Sequence, residues 1–66
     1  MYYQAQAYQM NTEHLLVDLG IWDEYEDAQC ACETREDQAL VFWRRDERIW
    51  SAQCTTCRYQ IVRSKD

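Results

Sequence analysis

Four cysteines lie in two close pairs, Cys30 with Cys32 and Cys54 with Cys57. Thiolates one or two residues apart can bind the same ion, and two such pairs supply the four ligands of a tetrahedral zinc site. A closed set of four thiolates leaves no coordination position for water, so it predicts a structural metal without enzymatic activity. Disulfides and free thiols are the alternatives, although a bridge within the first pair would close a small, strained ring.

Three arginines cluster between two tryptophans over residues 43–50 and form a second candidate site at the tip of the predicted hairpin. Guanidinium groups and indole rings are enriched in the hot spots of protein interfaces, and they also bind the phosphates and bases of nucleic acids. Asp46 and Glu47 would neutralise part of this charge, and the tryptophans would then be core residues. The residues that we expect to bind a partner are Trp43, Arg44, Arg45, Arg48 and Trp50.

Negative charge is concentrated in the first half of the chain. Residues 1–29 contain six Asp and Glu residues and no Lys or Arg, whereas residues 30–66 contain seven cations and six acids. The net charge of −5 disfavours general nucleic-acid binding, because phosphate contacts need accumulated positive charge. A protein partner with a basic surface suits the chain better; a solvated acidic surface is the alternative. The candidate docking patch is Asp23, Glu24, Glu26 and Asp27.

The length of 66 residues allows at most one small domain. A chain of this size buries only about 60% of the surface of its unfolded state, so it commonly needs a disulfide or a structural metal. The N-terminal residues lack the basic region and the continuous apolar segment of a secretory signal or membrane anchor. We therefore expect a cytoplasmic protein, in which thiols stay reduced and close pairs bind metal.

The secondary structure predicted for the first 20 residues is a strand followed by a short helix. Residues 2–10 alternate with the period of a strand that has one buried face. A helix is then expected from Asn11 or Thr12, which can cap its first turn, to Gly20, which favours its end. The buried face of the strand would be Tyr3, Ala5 and Ala7. The apolar stripe of the helix would be Leu15, Leu16 and Leu19.

Three β-rich segments are expected in the second half of the chain. Residues 39–43 and 48–52 predict a hairpin, with residues 44–47 as its loop. This register pairs Phe42 with Ile49 and Val41 with Trp50. Residues 58–63 predict a third strand. Its two side chains on one face would be Tyr59 and Ile61.

Residues 24–39 have a competing prediction. The segment has high helix propensity, and Asp23 with Glu26 matches a capping box. In a helix, Cys30 and Cys32 would point roughly 200° apart and could not bind one ion. The four-cysteine hypothesis therefore requires this segment to depart from its helix propensity.

The order of first pair, hairpin, second pair and third strand resembles a zinc ribbon over residues 30–63. In that family, two knuckles bind one zinc ion beneath a three-stranded antiparallel sheet. The first pair here has one intervening residue where the family usually has two, and Glu33 and Arg58 stand where the family favours glycine. Arg58 and Arg35 would offset the charge of the thiolates. The resemblance implies a first knuckle of Cys30 and Cys32 and a second of Cys54 and Cys57.

These features predict a small α+β metal-stapled domain over residues 1–66, in which an acidic strand and helix (1–29) precede a three-stranded antiparallel zinc ribbon (30–63). The expected function is a non-enzymatic zinc-binding regulatory or adaptor module that binds a partner protein. A nucleic-acid-binding ribbon acting through the arginine–tryptophan hairpin is the first alternative. A rubredoxin-like carrier with iron in the same thiolates is the second.

Overall fold

A helix packed on one face of an antiparallel sheet forms the observed architecture. The structure, a computed structural model, describes residues 1–37, 43–54 and 57–64. Over these residues the chain forms five strands and one helix. The elements are β1 Tyr3–Gln9, β2 Leu15–Trp22, α1 Tyr25–Glu36, β3 Arg44–Asp46, β4 Ile49–Gln53 and β5 Cys57–Arg63.

The strand order β2-β1-β5-β4-β3 joins the two halves of the chain in one sheet. β1 pairs with β2 along one edge and with β5 along the other, and every pairing is antiparallel. Ala5 lies opposite Ile61, and Ala7 lies opposite Tyr59. The predicted small α+β fold class is confirmed at this level, with more strands in the described residues than the ribbon requires.

Small side chains allow α1 to pack closely on the sheet. β1 buries two alanines on the face that meets the helix, which confirms the strand predicted over residues 2–10 and its buried side. β5 likewise buries Tyr59 and Ile61, as predicted. From the helix, Ala28 and Cys32 point to this face because they lie four residues apart. Among the described residues, those that are fully or almost fully buried are Ala5, Ala7, Ala28, Cys32, Ala52, Cys57, Tyr59 and Ile61.

Three aromatic rings hold the N-terminal end of α1 on the sheet. Tyr25, in the first turn of the helix, lies between Tyr3 of β1 and Trp50 of β4, with ring centroids 6.0 and 4.9 Å away. Tyr3 and Trp50 also contact each other, with their centroids 5.9 Å apart. Edge-to-face and tilted pairs of this kind add to the stabilisation that burial alone provides.

Of the two competing predictions for residues 24–39, the helical one is confirmed over α1, Tyr25–Glu36, and residues 38 and 39 lie outside the described residues. Acidic residues in the first turn and Arg35 in the last suit the helix dipole. Asp37 ends the helix in the left-handed region, with φ of 63°, and its N–H donates to the carbonyls of Glu33 and Thr34. No helix in the described part of the chain is long and apolar enough to cross a membrane.

The helix predicted between Thr12 and Gly20 is wrong, because residues 15–22 form β2. Pairing with β1 supplies hydrogen bonds and burial that a single short helix lacks, and this outweighs the leucine spacing. Asn11 has φ of 63° and lies in the turn between the strands. Gly20 has φ of +100°, next to a register shift, and its N–H donates to Asp18 Oδ1 at 2.9 Å. The glycine therefore permits a bulge instead of ending a helix.

The register predicted for the hairpin is also wrong. β3 and β4 are joined by Glu47 and Arg48 alone, with Glu47 in the left-handed region at φ of 57°. Consequently Ile49 pairs with Asp46 and Trp50 pairs with Arg45. The predicted partners Val41 and Phe42, with the rest of 38–42, lie outside the described residues. Arg45 Nε donates to the Glu47 carbonyl at 3.0 Å, which stabilises the tight turn.

Candidate metal centre

The second cysteine pair lies at the turn between β4 and β5. The Sγ atoms of Cys54 and Cys57 are 3.3 Å apart. The backbone N–H of Cys57 donates to Cys54 Sγ at 3.3 Å, and the N–H of Cys54 donates to the Cys57 carbonyl at 3.0 Å. The turn therefore presents both sulfurs on one side and supports one of them with a backbone donor, as a metal-binding knuckle requires.

Glu36 brings a carboxylate to the same two sulfurs. It is the last residue of α1, and the end of the helix at Asp37 leaves its side chain beside the β4–β5 turn. Its Oε1 lies 3.4 Å from Cys54 Sγ and 3.9 Å from Cys57 Sγ. Among the described residues, Glu36, Cys54 and Cys57 are the candidate ligands that lie within 4.8 Å of one another.

The separations of these three atoms are compatible with a metal site. Zinc bonds of about 2.3 Å to sulfur and about 2.1 Å to oxygen, in tetrahedral geometry, place two sulfurs about 3.8 Å apart and sulfur and oxygen about 3.6 Å apart. The observed separations of 3.3, 3.4 and 3.9 Å differ from these values by about 0.5 Å or less. Small side-chain adjustments would therefore let the three atoms bind one ion.

A second layer of polar groups orients the triangle. The Tyr59 hydroxyl donates to Glu36 Oε1 at 2.9 Å and accepts from Arg35 Nη1 at 3.0 Å. Arg35 Nη1 also lies 3.8 Å from Cys57 Sγ. Burial, followed by the hydrogen bond with Cys57, raises the pKa of Tyr59, so its hydroxyl remains a donor to the carboxylate. A guanidinium and a phenol thus hold the anionic ligands in place, as outer-shell groups do at metal sites.

The structure does not assemble the predicted set of four cysteines. Cys30 and Cys32 lie on α1, where two residues of separation turn the side chains to different sides of the helix. Cys30 is exposed, with its Sγ 3.9 Å from the Thr34 hydroxyl, whereas Cys32 is fully buried against the sheet. The predicted first knuckle of a zinc ribbon is therefore a helix in this protein.

Cys32 nevertheless lies on the side of α1 that carries Glu36, because the two residues are four positions apart. Burial, followed by the negative charges of Glu33 and Cys57, raises the pKa of the Cys32 thiol to about 12. Its sulfur lies outside the triangle of Glu36, Cys54 and Cys57. Sequence reasoning missed Glu36; the signal that pointed to it was the helix propensity of residues 24–39, which places a carboxylate one turn after Cys32.

The predicted hairpin surface is divided between two faces of the sheet. Trp50 packs against Tyr25, and the Arg45 guanidinium lies over its ring at 4.9 Å. Arg44, the residue before Arg45, points to the opposite face. Arg48 donates from Nη1 to the Arg63 carbonyl at 2.9 Å. Trp43 packs against the core, and its buried Nε1–H has no acceptor among the described residues.

An apolar groove lies between α1 and β2, near the predicted acidic patch. Asp23 and Glu24 come just before α1, whereas Glu26 and Asp27 lie in its first turn. All four carboxylates are therefore exposed at one end of the helix. The groove has a volume of about 480 Å³. Apolar side chains from both elements line it, and it extends to Asp27. Its lining consists of Leu19, Trp22, Asp27, Cys30, Ala31, Thr34 and Arg35.

Comparison with protein-family models, with curated proteins and with solved structures finds no match to this chain. Two thiols and one carboxylate whose ligand atoms lie 3.3 to 3.9 Å from one another can bind a divalent ion of intermediate softness. An apolar groove beside an acidic helix end can bind an apolar side chain that is flanked by basic residues.

Proposed function

We propose that this protein is a non-enzymatic zinc-binding adaptor or regulatory module whose metal holds α1 against the β4–β5 turn. The observation that carries the proposal is the triangle of Glu36 Oε1, Cys54 Sγ and Cys57 Sγ, with separations of 3.3 to 3.9 Å. One ion there would join the end of the helix to the two C-terminal strands. In a chain of 66 residues, such a link is a large part of the free energy of folding.

Cys32 is the fourth ligand in this proposal. It precedes Glu36 by one helical turn on the sheet-facing side of α1, and it belongs to the same buried cluster as Cys57. Two ligands one turn apart on a helix, combined with two on a knuckle, are the arrangement found in small structural zinc domains. Zinc would replace the proton of the buried thiol, and the Cys32 side chain would move towards the other three ligands to close the site.

The donor set and charge favour zinc over the alternatives. Three thiolates and a carboxylate match the preference of zinc for sulfur with a minor oxygen component, whereas calcium requires oxygen ligands alone. A rubredoxin-like iron site would need a fourth thiolate, and Cys30 is exposed on another side of the helix. Arg35 lies beside Cys57, and its positive charge would offset part of the surplus negative charge of the ligands.

Zinc content tests the metal-binding part of the proposal. Native mass spectrometry of protein refolded with zinc should find one ion per chain. Cys54→Ser should remove the ion, while Cys30→Ser, which changes an equivalent thiol on the exposed side of α1, should retain it. Retention of zinc by Cys54→Ser, or free reaction of all four thiols in the folded, zinc-treated protein, would overturn the proposal. A coloured protein containing iron would favour the electron carrier instead.

The groove between α1 and β2 is the surface proposed for the partner protein. Leu19 and Trp22 supply an apolar contact area, and Asp27 connects it to the acidic end of the helix. The complementary partner is therefore a segment with an apolar anchor and flanking Lys or Arg residues. This replaces the arginine–tryptophan hairpin as the contact surface, because the hairpin residues lie on different faces of the sheet.

Peptide titration tests the proposed surface. A short peptide with one leucine flanked by lysines should shift the amide resonances of α1 and β2, and the binding should weaken as salt is added. Ala31→Arg should block the groove, whereas Gln29→Arg, on the same helix outside the groove lining, should leave binding much less changed. Equal binding of a peptide with glutamates in place of lysines would contradict the proposed charge selectivity.

A further inference from the structure

We propose that the open face of the sheet binds a phosphate group between Arg44 and Arg58. This site is separate from the metal centre and from the α1–β2 groove. α1 covers one face of the sheet, and the alternation along β3 and β5 points these two arginines to the other face. The pair brackets β4, so two guanidinium groups lie on either side of the same strand.

A cavity of about 300 Å³ lies between these arginines. Register explains its composition, since Arg44 pairs with Ser51 and Arg58 pairs with Gln53. All four residues line the cavity, and they offer two guanidinium groups, a hydroxyl and an amide with no carboxylate. Forked guanidinium donors and a nearby hydroxyl are the groups that recognise phosphate oxygens.

Arg58 is held ready for a ligand by its neighbours. Its guanidinium lies over the Tyr8 ring at 4.8 Å and donates from Nη1 to Gln60 Oε1 at 3.1 Å. These contacts fix the plane of the guanidinium without neutralising its charge. Over the residues that the structure describes, the side chains of Arg44, Ser51 and Gln53 have no hydrogen-bond or ion-pair partner, so their donors remain available.

Charge is distributed so that this face is the less acidic one. The carboxylates of α1 lie on the far side of the sheet, and Asp18, on the distant edge strand β2, accepts from Gln4 Nε2 at 3.1 Å and from the Gly20 N–H at 2.9 Å. Asp46 lies on the same face as Arg44 and lines a different, smaller depression. The net charge of −5 thus conceals a local site where two positive charges meet.

Phosphate can come from a free nucleotide or from a single-stranded nucleic acid, and titration at low salt distinguishes these sources. Inorganic phosphate, adenosine monophosphate and a short oligothymidine would each be added while amide resonances of β4 and β5 are followed. Preference for the oligothymidine assigns the site to nucleic acid, because further phosphates and bases extend along the sheet. Equal or tighter binding of the mononucleotide assigns it to a small ligand.

Arginine variants decide whether the proposed site is responsible. Arg44→Gln and Arg58→Gln should each weaken binding of the preferred probe by about tenfold or more, since each removes charged hydrogen bonds to phosphate. Arg45→Gln is the matched control, because this arginine neighbours Arg44 and lies on the opposite face over Trp50. Arg44 is exposed, so its substitution tests the site without disturbing the core. Absence of binding by all three probes, or an equal loss in Arg45→Gln and Arg44→Gln, would overturn the proposal.

Discussion

The two cysteine pairs have nearly the same spacing in the sequence and opposite geometry in the fold. Cys54 and Cys57 lie at the end of β4 and the start of β5, with their sulfurs 3.3 Å apart. Cys30 and Cys32 lie on a helix, where one thiol is exposed and the other is buried. The backbone that carries a pair, and not its spacing alone, decides whether the two thiols can bind one ion.

The helix also places Cys32, the buried member of the first pair, near a different candidate ligand. On α1, Cys32 shares a side with Glu36, four residues later, and not with Cys30. The proposed ligand set therefore takes one cysteine from the first pair and both from the second.

The largest effect is expected for Cys54→Ser compared with Cys30→Ser. In zinc-containing buffer, Cys54→Ser should lower the free energy of unfolding by about 3 kcal/mol or more, because loss of the metal removes folding free energy. Cys30→Ser changes an exposed thiol and should alter it by about 0.5 kcal/mol or less. Urea unfolding followed by tryptophan fluorescence measures both values. Coincident unfolding curves for the two variants would contradict the unequal roles of the pairs.

A smaller and more specific effect is expected for Cys32→Ala. Without zinc, the variant should lose about 1 to 2 kcal/mol of stability, because a buried thiol is replaced by a smaller group. With zinc, the loss should be larger, since a ligand is also removed. Thermal unfolding of the variant and the native protein, each with zinc and with chelator, separates the two contributions. The same loss under both conditions would restrict Cys32 to a packing role.

Tyr59→Phe should weaken zinc binding by about tenfold, because the hydroxyl that orients Glu36 is removed. Tyr8→Phe is the matched control, since its hydroxyl donates to Gln6 Oε1 at 2.9 Å, away from the metal ligands. Competition for zinc with a chromophoric chelator measures the two affinities. If both variants bind zinc as tightly as the native protein, the proposed orienting role of Tyr59 is wrong.

The last comparison concerns the reactivity of the two first-pair thiols in metal-free protein. Cys30 is exposed and should react with iodoacetamide quickly, whereas burial blocks Cys32 and raises its pKa to about 12. A raised pKa in the folded state means that the contribution of Cys32 to stability is complete below pH 9, the ordinary value, and declines as pH rises from there towards 12. Mass spectrometry of alkylated peptides between pH 7 and 9 checks the order of reaction; faster labelling of Cys32 would contradict its burial.

Strong periodicity was a good guide to the strands that form the core. The alternation of Ala5 and Ala7 and of Tyr59 and Ile61 predicted both faces correctly, because these strands are paired on both edges and buried on one side. β2 could not be found in the same way, since its bulges interrupt the period of two and its leucines happen to repeat with helical spacing. Its structure depends on pairing with β1, which is a tertiary interaction.

The candidate site was half predictable for a related reason. Cys54 and Cys57 form a local turn, so their spacing in the sequence was sufficient to pair them. Glu36 joins them only because α1 ends beside a turn that follows it by many residues, and no local pattern encodes that contact. The helix propensity of residues 24–39 already opposed the pairing of Cys30 with Cys32, and local propensity and tertiary packing agree in α1.

X-ray absorption spectroscopy of the zinc-loaded protein would identify the ligand set, because it reports the atoms bound to the metal. With one zinc per chain, we expect a mixed set of sulfur ligands at about 2.3 Å and an oxygen ligand at about 2.0 to 2.2 Å. Glu36→Gln should change the oxygen contribution and preserve the sulfur contribution. Four sulfur ligands and no oxygen would contradict the account, since that set requires Cys30 to leave its exposed position on α1 and bind beside Cys54 and Cys57.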